Sequence, residues 1–248
     1  MTTSYPGAIL ITGANGGLGS VLVDYLLSHG VTNIACAYHS DCDRLREVFN
    51  SHNMDFDSHC FGADLVVESE VKALYDTVSR VRGKVWGVIN VAGGSSNGVS
   101  WKLSGDEFQE VVNQNLFSSF LVSKMFIPDM RENVSGRIIN FSSIVGFKGV
   151  AGASHYCAAK AGIAGLTRSL ALELVNKNIT VNALALGYFD GGLVYDIPVE
   201  IREQLKEEIP QHRFGKVSEL GGLIRYLLSD EGAYMTGQVL HINGGLYL

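Results

Sequence analysis

The sequence has little of what would mark an exported, membrane-bound or metal-dependent protein. It holds four cysteines, Cys36, Cys42, Cys60 and Cys157, in no C-x-x-C pair. A disulfide framework and a metal site therefore lack their spacing, and a reducing compartment is implied. No long apolar run occurs, and Met1 to Pro6 leads into an apolar segment without a basic leader, which predicts a cytoplasmic protein that neither crosses nor leaves a membrane. Lys and Arg never cluster, and the net charge of −6 repels nucleic acid and anionic lipid alike. Proline is scarce too: four, against 29 glycines, the balance of a chain rich in tight turns rather than a disordered one.

What is present is an ordinary globular composition, 46% hydrophobic and 18% charged, over 248 residues. No repeat or linker divides it, so 1–248 is read as one domain. Ala8 to Thr12 is a short apolar run before a glycine-rich turn, and Leu18, Val21, Leu22, Tyr25 and Leu26 follow at helical spacing. The alternation repeats: strands over 33–38, 59–61, 86–91, 137–141, 179–184 and 238–242, with helices between them. Ser104 with Glu107 three residues later is a capping box; the helix it opens is predicted to stop near Pro128. Another helix spans about 154–175 and a last one 218–228. Seven strands and six helices in this order predict an α/β fold, a doubly wound, Rossmann-type parallel sheet with helices on both faces. The stretch 187–214 reads as a long irregular loop, the kind that often lies over a binding site.

Two patterns carry chemistry. Thr12-Gly13-Ala14-Asn15-Gly16-Gly17-Leu18-Gly19 sits between a strand and a helix, where glycines let the backbone approach a pyrophosphate and the helix start offers free N–H groups. A tight turn with no ligand would use glycine too, but this strand-to-helix context is the one a phosphate cradle needs. Tyr156 and Lys160 lie one turn apart on a helix, so an ammonium near the phenol would favour phenolate and ease proton transfer. Alone, such a pair is ordinary helix surface. Here it follows Ser143 at the end of a strand, where open α/β sheets place ligands.

Together Thr12-Gly13-x-x-x-Gly17-x-Gly19, Asn90-x-Ala92-Gly93, Asn115, Ser143 and Tyr156-x-x-x-Lys160 resemble the short-chain dehydrogenase/reductase family across essentially the whole chain. Ile179-Thr180-Val181-Asn182-Ala183, Arg213-Phe214-Gly215 and the ending from Thr236 are similar to the 3-oxoacyl-[acyl-carrier-protein] reductase branch. The resemblance implies a catalytic set of Asn115, Ser143, Tyr156 and Lys160. In it Tyr156 gives a proton to a carbonyl oxygen that Ser143 also holds. Lys160 lowers the Tyr156 pKa and binds the nicotinamide ribose, and Asn115 holds a water that relays protons to Lys160. Ser142 is the neighbouring alternative, and the spacing to Tyr156 in the family selects Ser143. The cofactor would lie against Gly13, Asn15, Gly16, Gly17, Leu18 and Gly19; Tyr38, His39 and Ser40; Asp64 and Leu65; Asn90, Ala92 and Gly93; Tyr156 and Lys160; and Gly187. No metal is implied.

The pattern also has departures: Val91 where the family often has asparagine, Leu186 where it usually has proline, and Gly191 where a threonine often stands. His155 and Cys157 should pack beside the site, while Tyr188, Phe189, Tyr195 and Ile197 either line an acyl pocket or form an unselective lid. Lys177 either faces an acidic carrier protein or caps a helix. NADPH is expected over NADH, because no acidic residue stands at Tyr38 and His39, Ser40 and Arg44 can face a 2′-phosphate, with Asp41 and Asp43 opposing them. A homotetramer built on the two long helices is implied, the second rich in small residues such as Ala158, Ala161 and Gly165. The reaction expected is reduction of a 3-oxoacyl thioester, bound to carrier protein or coenzyme A. The alternatives are a sugar, polyol or cyclic ketone as substrate, or a nucleotide-binding protein without turnover.

Overall fold

The computed structural model describes residues 5–191, 194 and 198–248. Seven strands form one parallel sheet in the order β3-β2-β1-β4-β5-β6-β7: β1 Ala8–Thr12, β2 Ile34–Tyr38, β3 Cys60–Gly62, β4 Val85–Asn90, β5 Gly136–Ser143, β6 Ile179–Leu186 and β7 Val239–Ile242. The helices are α1 Gly17–Ser28, α2 Asp43–Ser51, α3 Glu68–Arg82, α4 Gly105–Val112, α5 Ser118–Asn133, α6 Val145–Lys148, α7 Ser154–Leu174, α8 Val199–Glu208 and α9 Val217–Leu228. Period-two alternation distributes the strand residues between two cores. Ile9 and Ile11 of β1 pack with α1, α2 and α9, whereas Ala8 and Leu10 pack with α3, α5 and α7. Both faces of the sheet are thus covered, which is why its strands read as unbroken apolar runs.

Strand order reverses between β1 and β4, and parallel pairing brings every strand's carboxyl end to one edge. The crevice at that reversal is where this architecture leaves room for a ligand. Underneath it runs a buried polar chain. Asn90 Nδ2 donates to Asn140 Oδ1 at 2.9 Å and to Ser123 Oγ at 3.2 Å, and Asn140 Nδ2 donates to Thr167 Oγ1 at 3.0 Å. These bonds tie β4, β5, α5 and α7 together directly below the crevice.

Three expectations are corrected. The helix opened by the Ser104 capping box does not stop near Pro128 but runs to Asn133, with Pro128 on its exposed side, where the carbonyl it leaves unpaired meets water. It is also not one α-helix: residues Asn113–Phe117 form a π-helical turn between α4 and α5. The stretch 187–214 is not wholly irregular, because it contains α8. Among the described residues no helix is long and apolar enough to cross a membrane, all four cysteines are free, and no group of His, Cys, Asp and Glu is placed to hold a metal.

Candidate active site

The glycine turn follows β1 directly. Gly13 has a φ of 60°, and a Cβ there would lie 2.6 Å from Ala92 Cα, so the turns after β1 and β4 touch backbone to backbone. A Cβ on Gly19 would lie 2.2 Å from Gly13 O, whereas one on Gly16 would sit 3.2 Å from that atom. Ala92 N donates to Thr12 Oγ1 at 3.1 Å and Gly16 N to Gly13 O at 3.0 Å. Gly17, Leu18 and Gly19 open α1, whose N-cap Gly16 offers no side-chain cap and whose first turn holds no acidic residue. A glycine-walled concavity facing an uncapped helix start fits the pyrophosphate of a dinucleotide.

Around this turn, Tyr38 ends β2, half-buried, with His39 and Ser40 exposed beyond it. Asp64 and Leu65, both half-buried, follow β3. Asn90 is 2% exposed and its amide points into the polar chain below, so the cofactor face of this turn is formed by backbone at Ala92 and Gly93. Gly187 continues β6, with N–H donated to Ile242 O at 2.9 Å, and a Cβ there would meet Asn243 Cα at 2.8 Å.

Tyr156 and Lys160 project from the first two turns of α7, so the positive end of the helix faces the phenol. Lys160 is 5% exposed; its Nζ donates to Phe141 O at 2.9 Å, and burial pulls its pKa down to about 8. Burial drives the Tyr156 phenol up to about 12, opposed by its hydrogen bond with Ser143. Lys160 is not among the groups that shift the phenol in this arrangement. The ammonium is committed to Phe141 and sits over the tyrosine ring, 5.5 Å from its centroid, so it does not offset the desolvation of the hydroxyl. The phenol keeps its proton as a result, which is the form an acid needs.

Ser142 and Ser143 separate cleanly. Ser142 Oγ donates to Lys160 O at 2.7 Å and is consumed in holding α7 to β5, while Ser143, half-buried, reaches Tyr156. Asn115 lies in the π-helical turn, fully buried. Its Nδ2 donates to Gly94 O at 2.7 Å and to Val111 O at 2.8 Å, and its Oδ1 is buried without a partner. A Cβ on Gly93 would come 2.3 Å from that oxygen and 3.4 Å from Lys160 Nζ. Gly93 thus lets the backbone pass close to both polar groups, and the buried Asn115 Oδ1 without a partner suits a water as its donor.

The side chains flanking Tyr156 serve the surroundings. His155 is fully buried and its Nε2 lies 3.0 Å from Ser96 Oγ; Ser154 Oγ accepts from Ser100 Oγ at 3.0 Å. These bonds, unsuspected from sequence, stitch the loop after β4 to the start of α7. Phe189 belongs to the core and Tyr188 leans on Phe214 with ring centroids 6.0 Å apart; Tyr195 and Ile197 lie outside the described residues. Lys177 borders a groove of about 620 Å3 between α5 and α7, with Lys124, Arg131 and Leu170. Of the departures, Val91 packs against the core, Leu186 continues β6 in register with Ser143 and Ile242, and Gly191 has a φ of 102° that a threonine would adopt only under strain.

Comparison with known proteins agrees with this geometry. Residues 7–199 match the family model described as short chain dehydrogenase. The chain is 34% identical over 240 residues to a 3-oxoacyl-[acyl-carrier-protein] reductase FabG of Staphylococcus aureus (strain MW2), covering 96% of this chain and 97% of that protein. It is 35% identical over 240 residues to an acetoacetyl-CoA reductase of Acinetobacter sp. (strain RA3849), with 96% and 97% covered. It is also 35% identical over 237 residues to nodulation protein G of Azospirillum brasilense, with 96% of each covered.

The two glycines of the turn should respond differently to a methyl group. Gly19→Ala collides with backbone at 2.2 Å and is expected to weaken dinucleotide binding more than tenfold, whereas Gly16→Ala, at 3.2 Å, costs a few-fold at most. Fluorescence titration with reduced nicotinamide dinucleotide checks the contrast, and equal losses would show that the close approach is not what the site requires.

Proposed function

Since the chain belongs to the short-chain dehydrogenase/reductase family, we propose that it reduces a ketone to an alcohol, the ketone being a 3-oxoacyl thioester carried on coenzyme A or an acyl carrier protein. The observation that carries the reading is the Tyr156 hydroxyl, buried against Ser143 at the carboxyl end of β5, where burial raises its pKa. A nicotinamide dinucleotide bound against the glycine turn supplies the hydride. Ser143 and Tyr156 both donate hydrogen bonds to the substrate oxygen, and Tyr156 passes its proton there as negative charge develops. Lys160 anchors the nicotinamide ribose from its buried position. Asn115 Oδ1 holds a water, through which the proton is replaced from solvent by way of Lys160. The whole chain, 1–248, acts as one domain in the cytoplasm, with 187–214 as a substrate lid.

The relatives named as reductases of acyl-carrier and coenzyme A thioesters support the substrate class. The subunits assemble as a homotetramer: α7 turns Ala158, Ala161 and Gly165 outward, and Leu172, 80% exposed, needs an apolar cover. NADPH is preferred, through His39, Ser40 and Arg44.

Four outcomes are expected. Tyr156→Phe lowers turnover of 3-oxoacyl thioesters about 10² to 10⁴-fold with dinucleotide affinity retained, and wild-type kcat/KM for reduction falls as pH rises through about 8, where Lys160 discharges. Near wild-type turnover in the variant, or faster turnover of sugars, polyols or cyclic ketones across a substrate panel, would sink the reading. Sedimentation velocity at micromolar protein shows a tetramer; a monomer alone refutes the assembly. The NADPH to NADH ratio of catalytic efficiencies exceeds one and His39→Asp reverses it, whereas a wild type favouring NADH contradicts the preference.

A further inference from the structure

The loop that leaves β4 crosses the carboxyl edge of the sheet between two fixed points. At the first, Gly94 O accepts from Asn115 Nδ2 at 2.7 Å, which pins the loop to the π-helical turn. At the second, Ser96 Oγ lies 3.0 Å from Nε2 of His155, the residue immediately before Tyr156 at the start of α7. Ser95, Ser96 and Asn97 are exposed, and among the described residues this pairing is the one hydrogen bond they make. Beyond them the loop docks again without His155: Gly98 N donates to Gly152 O at 2.8 Å, and Ser100 Oγ donates to Ser154 Oγ at 3.0 Å.

His155 is a costly choice for a residue that only packs. It is fully buried, and its Nδ1 has no partner. An apolar side chain could fill the same volume and leave no polar atom unsatisfied, so what the imidazole adds here is the one bond of its other nitrogen. That bond ends on an exposed segment and therefore adds little to the core. What it does fix is where 95–97 stands relative to Tyr156. Neighbouring residues of a helix project about 100° apart, so His155 acts on the loop and not on the reacting atoms.

We propose that His155 is a positioning residue that, through Ser96, holds 94–97 as the wall against which the ketone is seated beside the Tyr156 hydroxyl. This rests on the ketone-reduction reading above, and on no particular ketone. A wall that shifts by about an ångström lets the carbonyl sit off line from its proton donor. Dinucleotide binding is insulated from the change, because Gly94 keeps its own anchor on Asn115 and the turn at Ala92 keeps its bond to Thr12.

Steady-state kinetics of the full chain test this with Ser96→Ala, His155→Leu, the double variant and His155→Gln. The substrate is whichever member of a panel of 3-oxoacyl thioesters, sugars and cyclic ketones the wild type reduces fastest. Each of the first two variants should raise KM for the ketone about threefold to tenfold, the worth of one hydrogen bond, with dinucleotide affinity unchanged. The double variant should lose no more than either single one, because both remove the same bond. His155→Gln, whose amide extends to the position of Nε2, should recover most of the loss. Ser96 is exposed, so Ser96→Ala leaves the core intact and decides the matter even where His155→Leu folds poorly. An unchanged KM in Ser96→Ala overturns the inference, as does an additive loss in the double variant or an equal loss of dinucleotide affinity. If the preferred substrate is a sugar or a cyclic ketone, the thioester assignment fails while the coupling of Ser96 with His155 still upholds the inference; a wild type that reduces no ketone removes both.

Discussion

Burying an ammonium ion is the costly arrangement around which this site is built. Bringing Lys160 from an ordinary pKa of 10.5 to about 8 corresponds to about 3 kcal/mol against the charged form. The fold offsets part of that with a single carbonyl, Phe141 O, presented by the last turns of β5. The neighbouring carbon skeleton is equally committed. Ser142 binds the lysine's own carbonyl, and a Cβ on Gly146 would lie 2.8 Å from Lys160 C, so α6 and α7 meet there without side chains between them. The same low-polarity surroundings that discharge the lysine keep the tyrosine protonated. One environment therefore drives two pKa values apart, the lysine's from 10.5 down to about 8 and the tyrosine's from 10 up to about 12.

Much of this was legible in the sequence because periodicity and glycine spacing are local. The strands of β1, β4 and β6 appear as apolar runs because both faces are buried, and the first glycine turn is recognisable because strand, turn and helix are contiguous. Ser143, Tyr156, Lys160 and Asn115 do converge on one edge of the sheet. What stayed hidden depends on partners distant in the chain. The partnership of His155 with Ser96 has no signature in spacing. The passage of α5 through Pro128 depends on which side of the helix meets solvent, and α8 is a short, polar helix whose apolar residues make no clear stripe. An i,i+4 pair likewise shows proximity, not where the ammonium points or how much water remains.

The departures from the family pattern acquire plain structural meanings. Leu186 lets β6 stay paired with β5 on one side and β7 on the other to the level of Ser143, so the strand that would end at a proline carries on beneath the site. Gly191 occupies a left-handed backbone conformation open to glycine, so a threonine's hydroxyl is exchanged for a different path of the chain. Val91 is turned into apolar packing, and the bonds of the fourth strand's end fall to Asn90 alone.

The π-helical turn at Asn113–Phe117 has side chains that answer its widened carbonyls: Asn115 bonds Val111 O, Ser118 bonds Gln114 O at 2.7 Å and Ser119 bonds Asn115 O at 2.9 Å. A turn of this kind holds one residue more than an α-helical turn, and each residue of helix corresponds to about 100° of rotation. The faces of α4 and α5 are consequently set out of phase by a single inserted position, with Asn115 at the step. Losing any one residue from the turn would rewind the two helices into a common phase and swing α4 around its axis by about 100°.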